Sequence, residues 1–215
     1  MYTLYGTRGS GSAAVEVALE ACALPFRIVR AAEWEADSAV DELRRVNPLG
    51  QIPTLAMPDG SVMTESAAIL IHLGLHVVPP GSLIAADARA RAQAIRGLVY
   101  IAANCYSCIT ISDYPGRFTT AEDKETHEAI RQGTRRQLYR NWDVFADTFV
   151  QPLGAGAFLS GPVPGALDFL AAVVSRWSGA RAHVKEQRPA FHELLQRIDS
   201  HPSVAPVFAR HWPAA

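Results

Sequence analysis

The chain has 215 residues, of which 49% are hydrophobic and 19% charged, and its net charge at pH 7 is −1. That length suits one large domain or two small ones, with ample apolar material for a core. A near-neutral balance gives no bulk electrostatic reason to expect nucleic acid or an anionic membrane as partner.

Met1-Tyr2-Thr3-Leu4-Tyr5 lacks the basic start of a secretory leader. Residues 2–5 are a short apolar run ended by Gly6 and read as a strand. After Gly9-Ser10-Gly11-Ser12, a helical pattern runs over 13–23, with Val15, Ala18, Leu19 and Cys22 on one apolar face. Ser12 suits the N-cap, because its hydroxyl accepts from a free helix N–H, and Pro25 blocks continuation. Residues 26–30 alternate as a second strand, and 38–46 read as a helix stopped by Asn47-Pro48. Two apolar runs, 52–57 and 61–64, flank Pro58-Asp59-Gly60, a hairpin signal. A helix over 65–76 closes a small α/β unit.

Residues 77–83, containing Pro79-Pro80-Gly81, read as a linker. The longest uncharged run, 66–86, is therefore a buried helix plus linker and not a membrane span. Beyond it, 85–114 and 121–149 have helical periodicity, 152–164 is irregular, and 166–178 and 189–200 are further helices. Pro189 suits a first helical turn. The expected organisation is an α/β domain over 1–78 and an all-α domain over 85–215.

Three features bear on chemistry. Pro53 removes a ladder donor, so it belongs at a strand start or edge. A cis bond there would turn the backbone of Ile52 outward to pair with an extended peptide ligand. The alternative is a strand-start proline without function. Glu65-Ser66 precedes a strongly apolar helix, whose N-terminus suits a carboxylate while Glu65 suits an ammonium group. Ordinary capping is the alternative. Ser10 and Ser12 lie between a strand and a helix, where hydroxyl donation and the helix dipole stabilise a bound thiolate. A glycine-serine turn with an N-cap is the plain reading of the same residues.

In order and at this spacing, these features resemble the glutathione S-transferase family, in its bacterial, serine-using form. The resemblance rests on Tyr5-Gly6, Ser10-Gly11-Ser12, the run from Asn47-Pro48-Leu49-Gly50-Gln51 to Ile52-Pro53-Thr54-Leu55, and Glu65-Ser66-Ala67-Ala68-Ile69. It covers the whole chain. It implies a thioredoxin-like N-terminal domain, an all-helical C-terminal domain and a homodimer, in a cytoplasmic detoxification enzyme. By the same resemblance Ile52, before cis-Pro53, holds the cysteinyl part of glutathione, Glu65 and Ser66 hold its γ-glutamyl end, and Gln51 reaches the glycyl end.

Counting from Tyr5-Gly6, Ser10 takes the catalytic place; counting back from Val15-Glu16-Val17-Ala18-Leu19, Ser12 does. Ser10 is preferred and Ser12 kept. Glu16 stands where the family often has arginine, and Gly165 stands where it has the serine or threonine that caps the helix of buried Asp168. Tyr5 lies on the strand, too far back to be catalytic. Cys105-Tyr106-Ser107-Cys108 has redox spacing but falls inside a helix and reads as packing. That helix builds the family's electrophile pocket, which makes Asn104 and Tyr106 candidates for substrate contact. With three cysteines no disulfide framework is expected, the setting is reduced, and no metal is expected; the histidines read as surface or packing residues.

The expected activity is addition of the thiolate of reduced glutathione, as co-substrate, to a small hydrophobic electrophile. Alternatives are another glutathione-dependent reaction (disulfide reduction, dehalogenation, isomerisation or ether cleavage) and a non-catalytic binding protein on the same fold.

Overall fold

A computed structural model describes residues 1–79, 81–154 and 156–213. The first half is β1 (Tyr2–Gly6), α1 (Ser12–Ala21), β2 (Phe26–Arg30), α2 (Val40–Val46), the hairpin of β3 (Thr54–Ala56) and β4 (Val62–Thr64), and α3 (Ser66–His72), extended by a π turn over Leu73–Val77. The sheet order is β2-β1-β3-β4, with β1 parallel to β2 and antiparallel to β3, and β3 antiparallel to β4. Leu4 and Leu55 sit opposite each other on β1 and β3, both fully buried. Tyr5, on the other face, packs with Ala31 and with Leu43 of α2. This mixed sheet with helices on both faces is the expected thioredoxin-like unit.

The second half is helical. Helix α4 (Ala88–Tyr100) passes through a π segment (Ile101–Tyr106) into α5 (Ser107–Asp113), forming one continuous helix, Ala88–Asp113. By length and composition alone it is long and apolar enough to cross a bilayer; here it packs on α6 (Lys124–Phe145) and α7 (Ala166–Val174). Helix α6 ends in a second π segment, Ala146–Val150, and α8 (Ala180–Gln187), α9 (Pro189–Ser200) and α10 (Ala205–His211) follow. Asp87 and Asp123 cap α4 and α6, accepting from Ala90 N–H at 2.8 Å and Thr126 N–H at 2.7 Å.

Helix α7 joins the two halves. All nine of its residues are buried, and it contacts α1, α3, α4 and α9. Burying each of its larger side chains contributes about 1.5–3 kcal/mol. Its Asp168 carboxylate accepts from Leu159 N–H at 2.8 Å, Ser160 N–H at 2.9 Å and Gly165 N–H at 3.1 Å. The glycine at 165 has a steric reason: a Cβ there would overlap the Leu83 carbonyl and sit 2.8 Å from Ser160 Cβ. That carbonyl accepts the Ala166 N–H at 2.9 Å, so glycine lets residue 83 close the top of α7.

Several expectations are corrected. Helix α1 starts at Ser12, with Gly11 as its N-cap, and the Ser12 hydroxyl makes no cap bond. Ser12 through Leu19 are all buried, because α1 lies between the sheet, α7 and α10; a single apolar face understates it. Helix 166–178 stops at Val174, and α8 and α10 add two helices to those expected from periodicity. Pro80 of the linker, Ala155 of the irregular stretch and residues 214–215 lie outside the described residues.

Candidate functional site

A cleft of about 440 Å³ opens between the ends of the sheet and the helix Ala88–Asp113. Its N-terminal wall is made of three short segments: the loop before α1, the loop before β3, and the head of α3.

Asn47 builds the second of these. Its buried side-chain amide donates to the Gln51 carbonyl at 3.0 Å and to Thr54 Oγ1 at 2.9 Å, while its Oδ1 accepts from Leu49 N–H at 3.2 Å. The loop is thus tied at both ends to one side chain. Gln51, Ile52 and Pro53 line the cleft, and the Ile52–Pro53 peptide is cis. The main-chain N–H and C=O of Ile52 have no hydrogen-bond partner among the described residues.

Thr64, Glu65 and Ser66 line the cleft at the head of α3. Glu65 has φ +63°, a conformation that non-glycine residues adopt rarely and at a cost of about 1–3 kcal/mol. Neither the Glu65 carboxylate nor the Ser66 hydroxyl has a hydrogen-bond partner among the described residues. An acceptor and a hydroxyl therefore stand free beside a helix N-terminus, an arrangement that suits a zwitterionic amino-acid end group.

The two serines separate. Ser10 lines the cleft with Gly9 and Gly11. Ser12 faces a second hollow behind the loop, shared with Arg8, Glu16, Arg30 and Arg210. Ser10 Oγ donates to the Thr7 carbonyl at 2.8 Å, Ser12 Oγ reaches the same carbonyl at 3.2 Å, and the two hydroxyls are 2.8 Å apart.

Glu16 is 3% exposed. Its Oε1 accepts from Arg210 at 2.7 Å and its Oε2 from His211 Nε2 at 2.7 Å. Burial alone would raise this carboxyl, but hydrogen bonds from His211 and Arg210 outweigh it and hold the pKa below the ordinary value. The buried anion on α1 is thus met by a guanidinium and an imidazole, both from α10.

On the opposite wall, the Tyr106 ring stacks on Trp177 with centroids 5.7 Å apart and planes 12° from parallel. Its hydroxyl stands against Gly11, where a Cβ would overlap it and would also lie 3.6 Å from Pro53 Cδ. Burial, then the charges of Asp113 and Glu65, pushes the Tyr106 phenol up to about 12. Asn104 is not brought to the cleft: it is exposed, its amide donates to the Tyr100 carbonyl at 3.2 Å, and its own carbonyl accepts from Asn141 at 2.6 Å. Cys105 and Cys108 are buried and free, and burial raises both thiols. Tyr5 is turned away, its hydroxyl on Glu42 at 2.8 Å.

The structure adds Trp34, Asp113, Tyr114, Arg117 and Trp177 to the cleft. Burial raises the Asp113 carboxyl, and the Arg117 guanidinium lies 4.1 Å over the Tyr114 ring. These residues come from three separated stretches, and no sequence motif joins them. His72 and His76 stand four apart with rings 5.6 Å apart, a spacing known in metal sites that a reading of all seven histidines as packing or surface residues passes over. Among the described residues, no three metal-ligating side chains come together.

Comparison with known proteins agrees with this architecture. The glutathione S-transferase N-terminal domain family matches residues 12–75. An uncharacterized GST-like protein of Escherichia coli (strain K12), YncG, is 33% identical over 144 residues, covering 65% of this chain and 67% of that one. A glutathione transferase homolog from Sulfitobacter, solved with bound glutathione, superposes with a TM-score of 0.81 at 23% identity over 96% of each chain. A sphingomonad glutathione S-transferase complexed with glutathione gives 0.75 at 20% identity, over 99% of this chain and 100% of that one.

Proposed function

Because the chain belongs to the glutathione S-transferase family, we propose that it binds reduced glutathione in this cleft and adds its thiolate to the electrophilic carbon of a small hydrophobic molecule. The observation that carries the reading is the convergence of three features on one wall, two of them with polar groups left free. These are the free backbone of Ile52, the free Glu65-Ser66 pair, and the loop with Ser10 at the head of α1.

Glutathione is an extended tripeptide with an amino-acid end group, a thiol in the middle and a carboxylate at the far end. Ile52 pairs with the cysteinyl backbone as a short strand addition. Glu65 takes the γ-glutamyl ammonium and Ser66 with the head of α3 takes its carboxylate. Gln51 lies on the side of the glycyl end. The thiol then falls between Ser10 and the opposite wall. Lowering a thiol from about 9 to 6–7 needs roughly 3–4 kcal/mol of preferential thiolate stabilisation, within reach of a hydroxyl donor plus a helix N-terminus. The new C–S bond uses the sulfur lone pair, and the leaving group departs with its own bonding pair. The electrophile lies against Ile109, Tyr114 and Trp177, which give the cleft its apolar side.

A second reading has one observation in its favour. Both serine hydroxyls are engaged within their own loop, which suits a protein that holds glutathione without activating it. Conjugation of an aryl halide, measured together with the thiolate absorbance of bound glutathione, tests the proposal. Turnover and a bound thiol ionised at neutral pH are expected. Bound glutathione with an unshifted thiol and no turnover would move the assignment to the binder.

A further inference from the structure

Each serine hydroxyl carries one proton, and the loop offers three places for the two protons. Ser10 donates to the Thr7 carbonyl or to Ser12, and Ser12 to the Thr7 carbonyl or to Ser10. Every such assignment keeps the Ser10 proton inside the loop. Offering it to a thiolate in the cleft breaks a buried hydrogen bond, and Ser10 is itself only 7% exposed. The Ser12 N–H, at 3.3 Å, also points at Ser10 Oγ. Ser10 is thus the hub of a closed network.

Across the cleft, the Tyr106 hydroxyl has no hydrogen-bond partner among the described residues. It stands at Gly11, beside Pro53, which is next to the Ile52 backbone that holds the cysteinyl unit in the reading above. Stacking on Trp177 fixes the ring. Set against Ser10 and Ser12, whose protons stay within their loop, Tyr106 has a proton to spare.

Resting on the proposed glutathione site, we infer that Tyr106 is the catalytic hydroxyl, donating the hydrogen bond that holds the thiolate sulfur, and that Ser10 sets the shape of the loop. On ionisation the S–H bond breaks heterolytically, the electron pair stays on sulfur and the proton passes to water. Tyr106 keeps its own proton throughout, as a phenol pushed up to about 12 by burial must at neutral pH. The glycine at 11 is then a specificity device of shape, since any side chain there displaces the hydroxyl from the sulfur.

The test is a pH titration of the thiolate absorbance of bound glutathione in the wild type, Tyr106→Phe and Ser10→Ala, with glutathione affinity measured calorimetrically at low pH. Tyr106→Phe keeps the stacked ring. Its affinity should stay within about twofold, while the thiolate fraction at a fixed pH below the midpoint falls about tenfold, the equivalent of one charged hydrogen bond. Ser10→Ala should change that fraction less. Gly11→Ala, which leaves the phenol in place but crowds its hydroxyl, should reproduce the fall. A wild-type-like titration in Tyr106→Phe, with the large loss in Ser10→Ala, overturns the assignment and leaves the transferase reading standing. An unshifted thiol in the wild type overturns both.

Discussion

The main-chain N–H of Gly9 donates to Nδ1 of His211, 3.1 Å away and 202 residues later in the chain. Because Nδ1 accepts, the imidazole carries its proton on Nε2 and gives it to Glu16 at 2.7 Å. One side chain of α10 therefore holds both the loop that carries Ser10 and the helix that follows it. Replacing it with alanine leaves a backbone donor and a buried carboxylate each short of a partner. His211→Ala should lower unfolding stability by about 2–4 kcal/mol in a urea titration and weaken glutathione binding as the loop loosens. Unchanged stability would show that α10 is only a passenger.

The same cluster sets an acid limit. The folded-state pKa of Glu16 lies below its ordinary value of 4.5. Its contribution is therefore fully present above pH 4.5 and is lost as pH falls through the lower folded value. Stability measured from pH 6 down to about pH 3 should fall less steeply in Glu16→Gln than in the wild type, from a lower starting point. Parallel curves would remove Glu16 from the acid response.

Glu65 combines a strained backbone with a free carboxylate, and two substitutions separate them. Glu65→Ala keeps the strain and removes the acceptor. It should weaken glutathione binding by more than about 1.5 kcal/mol with little change in melting temperature. Glu65→Gly removes both, so it should bind as weakly as alanine while gaining about 1 kcal/mol of stability. Equal affinity in all three proteins would end the assignment of the γ-glutamyl end to this residue.

At Gly165 the constraint is space. Gly165→Ala drives a methyl into the Leu83 carbonyl and against Ser160. The expected loss is about 1–3 kcal/mol, as for an overpacked core site, read from chemical denaturation. A neutral result would mean that the chain at residue 83 yields freely.

Cys105 and Cys108 are raised by burial, so their thiolate fractions are small at neutral pH and reagents reach them poorly. A thiol reagent should label neither on the timescale that labels a free peptide cysteine, and both should react in denaturant. Rapid labelling of the native protein would reopen a redox role for the pair.

The contiguous parts of the site were legible because local chemistry writes them into short strings. Asn47 makes three hydrogen bonds within eight residues of itself, and Glu65-Ser66 marks a helix start on any reading. Of the far wall, Tyr106 was legible and most of the rest was not. Asp113, Arg117 and Trp177 reach the cleft from separated segments, and the π segments at Ile101–Tyr106 and Ala146–Val150 shift the face that a 3.6-residue period assigns. Helix α8 follows the positive-φ residues Ser178 and Gly179, which read as loop. Helix α10 is only seven residues long, bounded by Pro202 and Trp212-Pro213, and its value to the fold lies in Arg210 and His211, whose partners are at the other end of the chain. Which of Ser10 and Ser12 lines the cleft depends on the loop's direction, which spacing does not carry.

The bond from Gly9 to His211 also orders events during synthesis. The sheet and its first helices leave the ribosome long before residue 211 is added, since domains generally fold as units during translation. Until then the loop beside the cleft lacks its strut, Glu16 is buried against no cation, and the early domain is a scaffold without a finished binding wall. The helix that makes this loop competent is made 202 residues after it.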